Sequence, residues 1–228
     1  MSGPAPAGCW GRAQVVGAFS EAAGWFAGVV AQIGPGQWEG PGLGVWTVRE
    51  LAGHTGRALT TVEEYLLDPS PDAEPGTGLD PEHPVAGAAD YFLQVRDNAR
   101  LHQDVAERGR QAGAALGSVV GATPADDVAA LVARVVRLVE GASPSAAFRS
   151  RFGVLPFGTY LATRVVELAV HTVDLQRACD QLDEVPGLAG SLAVAVVGEL
   201  AVRRGSTADV LGALGGRRAL PPAFGVFQ

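Results

Sequence analysis

The chain has 228 residues, 47% hydrophobic and 18% charged, with 17 basic and 24 acidic residues for a net charge of −7. That balance describes a globular chain with enough apolar surface for its own core; it excludes disorder, and it lacks the basic excess that nucleic-acid binding needs. All 17 basic residues are Arg, so a local Arg cluster that grips a small anion stays compatible with the acidic total.

Apolar residues recur at helical spacing from Trp10 to Ile33, at Val15, Val16, Phe19, Ala23, Phe26, Val29 and Val30, and predict a first helix despite Gly17, Gly24 and Gly28. Residues 34–45 are rich in Gly and Pro and read as a loop. Thr47-Val48-Arg49-Glu50 is a capping box, in which Thr47 accepts from the Glu50 amide while the Glu50 carboxylate reaches back. The second helix then runs through His54 to about Leu67. Residues 68–84 hold five Pro and read as a long loop placed like a lid. A third helix is predicted over 85–111, with Ala89, Phe92, Leu93 and Leu101 as its apolar stripe. Thr123-Pro124 is a cap followed by Pro and starts a helix over 125–140. A short strand is expected within 148–157. A long helix spans 159–181, Pro186-Gly187 breaks it, another covers 188–204, and Ser206 opens a last short one that Gly215-Gly216 ends. The class is all-α: a helical bundle.

The helix over 159–181 carries the most chemistry. At about 100° per residue, Arg164, Glu167, His171 and Asp174 fall in one stripe roughly 80° wide on an otherwise apolar helix. Glu167 and His171, at i and i+4, are neighbours on that surface. A carboxylate oxygen and an imidazole nitrogen there can chelate one divalent ion, and the donor types suit zinc. Asp174 is placed to orient His171 from behind. The same stripe can also simply face water. His54, among Leu51, Ala52, Leu59 and Val62, reads equally as a core histidine bonded to a carbonyl. Glu50 also stands four residues from a His, but its capping role ranks it below Glu167. His83 sits in the Pro-rich loop and His102 on a polar helix surface. No phosphate-binding glycine loop and no nucleophile elbow is present. Cys9 and Cys179 are too few and too far apart for a disulfide framework or a zinc ribbon, and Cys179 reads as a buried, inert thiol. No signal peptide and no membrane span is legible. The expectation is a soluble protein of the reducing cytoplasm.

The segment Trp46-Thr47-Val48-Arg49-Glu50-Leu51-Ala52-Gly53-His54 resembles the "W-T-v-r-e-L-x-x-H" segment of the mycothiol-dependent maleylpyruvate isomerase family, within the DinB-like superfamily of metal-binding helical bundles. Tyr160-Leu161-Ala162-Thr163-Arg164, running on through Glu167 and His171 to Asp174-Leu175, is similar to its "y-L-a-t-R-x-x-E-x-x-x-H-x-x-D-L" helix. Where many members read "c-P-g-W", this chain has Gly44-Val45-Trp46. The resemblance implies a DinB-like four-helix core with extra short helices over residues 1–183 and a short helical extension over 184–228. It implies one divalent metal, usually zinc, held by His54, Glu167 and His171, with Arg164 and Asp174 as candidates to support the ligands. It further implies mycothiol as co-substrate and a small electrophilic metabolite as substrate, with no nucleic-acid or membrane partner. The activity expected is a zinc-dependent, mycothiol-using transferase or isomerase. The alternatives are a metal-dependent hydrolase on the same scaffold and a non-catalytic metal-binding or regulatory protein.

Overall fold

A computed structural model describes residues 10–67, 85–96, 99–118, 121–150 and 153–227. Its elements are α1 (Arg12–Ala31), α2 (Val48–Leu67), α3 (Ala88–Arg96), α4 (Ala99–Ala115), α5 (Pro124–Glu140), β1 (Ala147–Ser150), β2 (Gly153–Pro156), α6 (Phe157–Ala178), α7 (Gly187–Arg203) and α8 (Thr207–Leu214). The lid-like loop, Cys9 and His83 lie outside the described residues, as do the side chains of Leu101 and His102.

Four helices close a ring of contacts: α1 packs on α5 and α6, and α2 packs on the same two. This is the expected all-α, DinB-like bundle, with the shorter elements fitted around it. α1 shows why packing outweighs propensity. Its glycines weaken it as an isolated helix, yet Val15, Ala18, Phe19, Ala22, Ala23, Phe26, Val29 and Val30 are all buried. Each large side chain so buried contributes about 1.5–3 kcal/mol, which offsets a glycine cost of about 1 kcal/mol each. The Thr47 box forms as read: Thr47 N donates to Glu50 Oε2 at 2.9 Å, and Glu50 N donates to Thr47 Oγ1 at 3.2 Å. Thr123 caps α5 in the same way with Asp126.

One expectation changes, that of the strand. The helix read over 85–111 is described in two parts, α3 and α4, with residues 97–98 between them outside the described residues. α3 lies on α6 and α7, whereas α4 lies along α2. Ala89 and Phe92 of the predicted stripe are buried as expected. The single strand is a hairpin, β1 antiparallel to β2, with Phe148 opposite Leu155. Both side chains are buried, and the Phe148 ring stacks on Phe157 and meets Tyr160, so the hairpin anchors the start of α6.

α4 approaches α2 through glycines. A Cβ on Gly53 would stand 2.1 Å from the Gly113 nitrogen, and one on Gly113 would stand 2.7 Å from the Arg49 carbonyl oxygen. Only hydrogen in place of Cβ permits backbones this close. α7 is tied down by the Glu21 carboxylate, which accepts from the Ala189 amide at 2.7 Å, a favourable place for an anion at a helix N-terminus. Among the described residues no helix is long and apolar enough to cross a membrane.

Candidate metal centre

α2 and α6 run antiparallel past each other. His54 meets His171 at one level of the contact and Tyr65 meets Tyr160 at another, so residue numbers rise along one helix as they fall along the other. α6 is central, with α1, α2 and α7 all packed on it. Its polar stripe therefore turns inward: the side chains of His171 and Glu167 are only 18% and 28% exposed.

Around His171 the polar atoms converge. Its Nε2 lies 3.3 Å from His54 Nε2 and 3.5 Å from Glu167 Oε2, and its Nδ1 lies 3.1 Å from Asp174 Oδ2. One ligand atom each from His54, Glu167 and His171 lies within 4.8 Å of the others. Two donors each about 2.05 Å from a tetrahedral zinc stand about 3.3 Å apart. The His54–His171 and Glu167–His171 separations fit such an edge with little movement. Glu50 stays in its capping box and does not join the cluster.

The electrostatics are those of a place for a cation. Burial opposes charge on Glu167, but the His171 hydrogen bond and the Arg164 charge outweigh it and bring the carboxyl down to about 2. Burial likewise opposes charge on His171, yet its bonds to Asp174 and Glu167 push it up to about 9. His54 is lowered to about 4, first by burial and then by the positive charge on His171. Without a metal, then, a proton on His171 supplies the positive charge between two carboxylates. His54 turns Nε2 towards it, and its Nδ1 is buried without a hydrogen-bond partner among the described residues.

Asp174 is thus hydrogen-bonded to His171 Nδ1. Among the described residues Arg164 has no hydrogen bond to either histidine. It donates from Nε to Thr163 Oγ1 at 3.0 Å, lies over the Tyr160 and Tyr91 rings at 4.9 and 5.7 Å, and acts on Glu167 through its charge. Two neighbours of His54 carry no periodicity signal. Trp46 covers one face of the imidazole at a centroid distance of 4.5 Å. Gly109 of α4 lies on another side, where a Cβ would stand 3.1 Å from His54 Cβ and 3.3 Å from Nδ1. Trp46 at least heads the quoted 46–54 segment; one glycine among 31 is visible only once α4 is seen against α2. Cys179 is buried and its thiol pushed up, by burial and by the adjacent Asp180 charge.

Fold and site together define a helical bundle with a partly buried His–Glu–His cluster between two of its helices. The family model for the mycothiol maleylpyruvate isomerase N-terminal domain matches residues 19–176, and the chain belongs to that family. The matched span runs from α1 into α6 and includes all three cluster residues. Comparison with curated proteins and with solved structures finds no match.

Proposed function

We propose that the chain is a zinc-dependent, mycothiol-using transferase or isomerase acting on a small electrophilic metabolite. The observation that carries this reading is the convergence of His54, Glu167 and His171 at ligand spacing in a member of a family named for mycothiol. His54 and His171 would supply nitrogen and Glu167 oxygen, a donor set suited to zinc with coordination left open for one more ligand. When bound, zinc would hold a thiol sulfur as thiolate near neutral pH, where a free thiol of pKa about 8.5 is mostly protonated.

The remaining work falls to the chain. Asp174 accepts from His171 Nδ1 and so presents Nε2 to the centre. Trp46 and Gly109 confine the His54 ring from two sides, which limits the rotamers open to this ligand. Cys179 is unsuited to be the nucleophile: it caps the far end of α6, buried and with its thiol pushed up. An external thiol is the better candidate, which fits a reducing cytoplasm and a partner set of one small molecule and one low-molecular-weight thiol. We take residues 1–183 as the unit that holds the metal and 184–228 as an extension docked on it.

Calorimetry of mycothiol into the zinc-loaded protein, in two buffers of different ionisation heat, tests the reading. Binding should release a proton, because the thiolate is the form that coordinates, and should vanish in His54→Ala and His171→Ala. Equal binding to zinc-free protein, or none, would refute the thiol chemistry; thiol-independent hydrolysis would then identify the alternative hydrolase.

A further inference from the structure

We propose that the outward face of α7, with α8 beside it, is the surface on which two copies of this chain pair, α7 crossing the α7 of its partner antiparallel at Gly198. The surface shares no residue with the His54–Glu167–His171 cluster.

α7 is apolar on more than one side. Ala189, Leu192, Ala193, Val196, Leu200 and Ala201 are buried against the bundle. Val194, Gly198 and Val202, at i, i+4 and i+8, form a second row about 80° wide. Val194 is 68% exposed and Val202 57%. A helix that is apolar all round is normally covered all round. A Cβ on Gly198 would meet nothing within 4 Å, so the row has a notch between its two valines. α8 continues the pattern: Leu211 and Leu214 are exposed, and none of its residues is buried. A helix this short is marginal in water without packing, and α7 is the helix it lies on.

The area suits a modest dimer. Of the twelve large hydrophobic side chains left exposed among the described residues, seven lie within 184–227. Burying a side chain of this kind removes about 60–120 Å² from water, the area equivalent of its transfer free energy. Scaled by their exposed fractions, the seven then present about 250–450 Å² of apolar surface. Homodimer interfaces are about 65% apolar, so a contact covering these side chains would bury about 400–700 Å² per copy. A standard stable interface buries about 800 Å² per partner.

The charges select a second copy as the occupant. Residues 184–228 hold four Arg and three acidic residues, a net of +1, which leaves −8 on the rest of the chain. Two copies that met through the rest of the chain would bring like charges together, whereas the extension is close to neutral. Two of its Arg are already paired within it, Arg203 with Glu199 and Arg218 with Asp209. Such a patch can meet itself across a two-fold axis, where residue i touches j and j touches i. The row on α7 has that symmetry. Val194 and Val202 stand four residues either side of Gly198, so an antiparallel crossing at Gly198 sets each valine against the other in both directions. With no Cβ on either glycine, the two backbones can approach closely there.

Analytical ultracentrifugation of the full chain over about 1–200 μM tests the pairing, since an interface at the small end of the range implies a micromolar Kd. The mass should rise with concentration from 23.4 kDa towards twice that value. Gly198→Glu has open space in the single chain but places like charges together at the crossing. It should weaken pairing by about a hundredfold or more, as a desolvated unpaired charge does, while the circular dichroism of the protein stays helical. Val194→Arg and Val202→Glu, both at exposed positions, should each be monomeric. Mixing the two should restore a dimer, because the antiparallel register sets the new charges against each other on one side of the axis and leaves the native valine pair on the other. Wild-type protein that stays monomeric across the range would overturn the proposal, as would a folded Gly198→Glu variant that associates like wild type. Mixed variants that stay monomeric would overturn the antiparallel crossing.

Discussion

Asp174→Asn tests how the candidate metal centre is tuned. Asn can still accept from His171 Nδ1 but removes one of the two carboxylates that push His171 up to about 9. In wild type at pH 7 a proton on His171 competes with metal across two pH units, which lowers apparent affinity about a hundredfold, or about 2.7 kcal/mol. At pH 9 and above that competition is nearly gone, and only ligand basicity and orientation remain; loss of a carboxylate behind a ligating histidine then costs about 10–100-fold. The substitution therefore has two opposed effects. It weakens the ligand at every pH, and it relieves proton competition at neutral pH. If Asn lowers the His171 pKa by about one unit, about tenfold of affinity is recovered at pH 7. Zinc affinity measured against a competing chelator from pH 6.5 to 9 should show a large deficit in the variant at high pH that narrows towards pH 7. A deficit of the same size at every pH, or no deficit at pH 9, would refute the role given to Asp174.

The metal-free protein should also lose stability on both sides of about pH 6.5. His171 is raised, so its contribution is fully present below its unfolded value of 6.5 and is lost as pH rises through about 9. His54 is lowered, so its preference for the neutral form helps above 6.5 and is lost as pH falls towards about 4; Glu167 adds a loss as pH falls from 4.5 through about 2. Thermal melts across pH 3–10, with and without zinc, check this, and zinc should flatten the alkaline arm. Gly113→Ala should cost about 1–3 kcal/mol or more in urea denaturation, since its Cβ meets backbone of α2 at 2.7 Å. Gly109→Ala meets His54 at 3.1 Å, so it should cost less stability but measurably shift zinc affinity; the reverse order would contradict the packing described for α4.

Much of this was legible along the chain because the signals were local. The Thr47–Glu50 box and the Thr123 cap before Pro124 are spacing rules that the structure obeys, and Glu167, His171 and Asp174 share a stripe by helical arithmetic alone. That this stripe faces inward was not legible, because it depends on α6 being enclosed by α1, α2 and α7. The pairing of His54 with His171 spans 117 residues and reached the sequence reading only through family resemblance. That α3 lies on α6 and α7 while α4 lies along α2 is a matter of long-range packing, which periodicity does not encode.

The most direct test of the His54–Glu167–His171 centre is the electronic absorption spectrum of the protein loaded with cobalt in place of zinc, before and after addition of mycothiol. The expected result is about one cobalt per chain, visible bands of four-coordinate intensity, and a new sulfur-to-metal charge-transfer band when mycothiol is added, all absent in His171→Ala. A protein that binds no cobalt, or whose spectrum is unchanged by mycothiol, would contradict it.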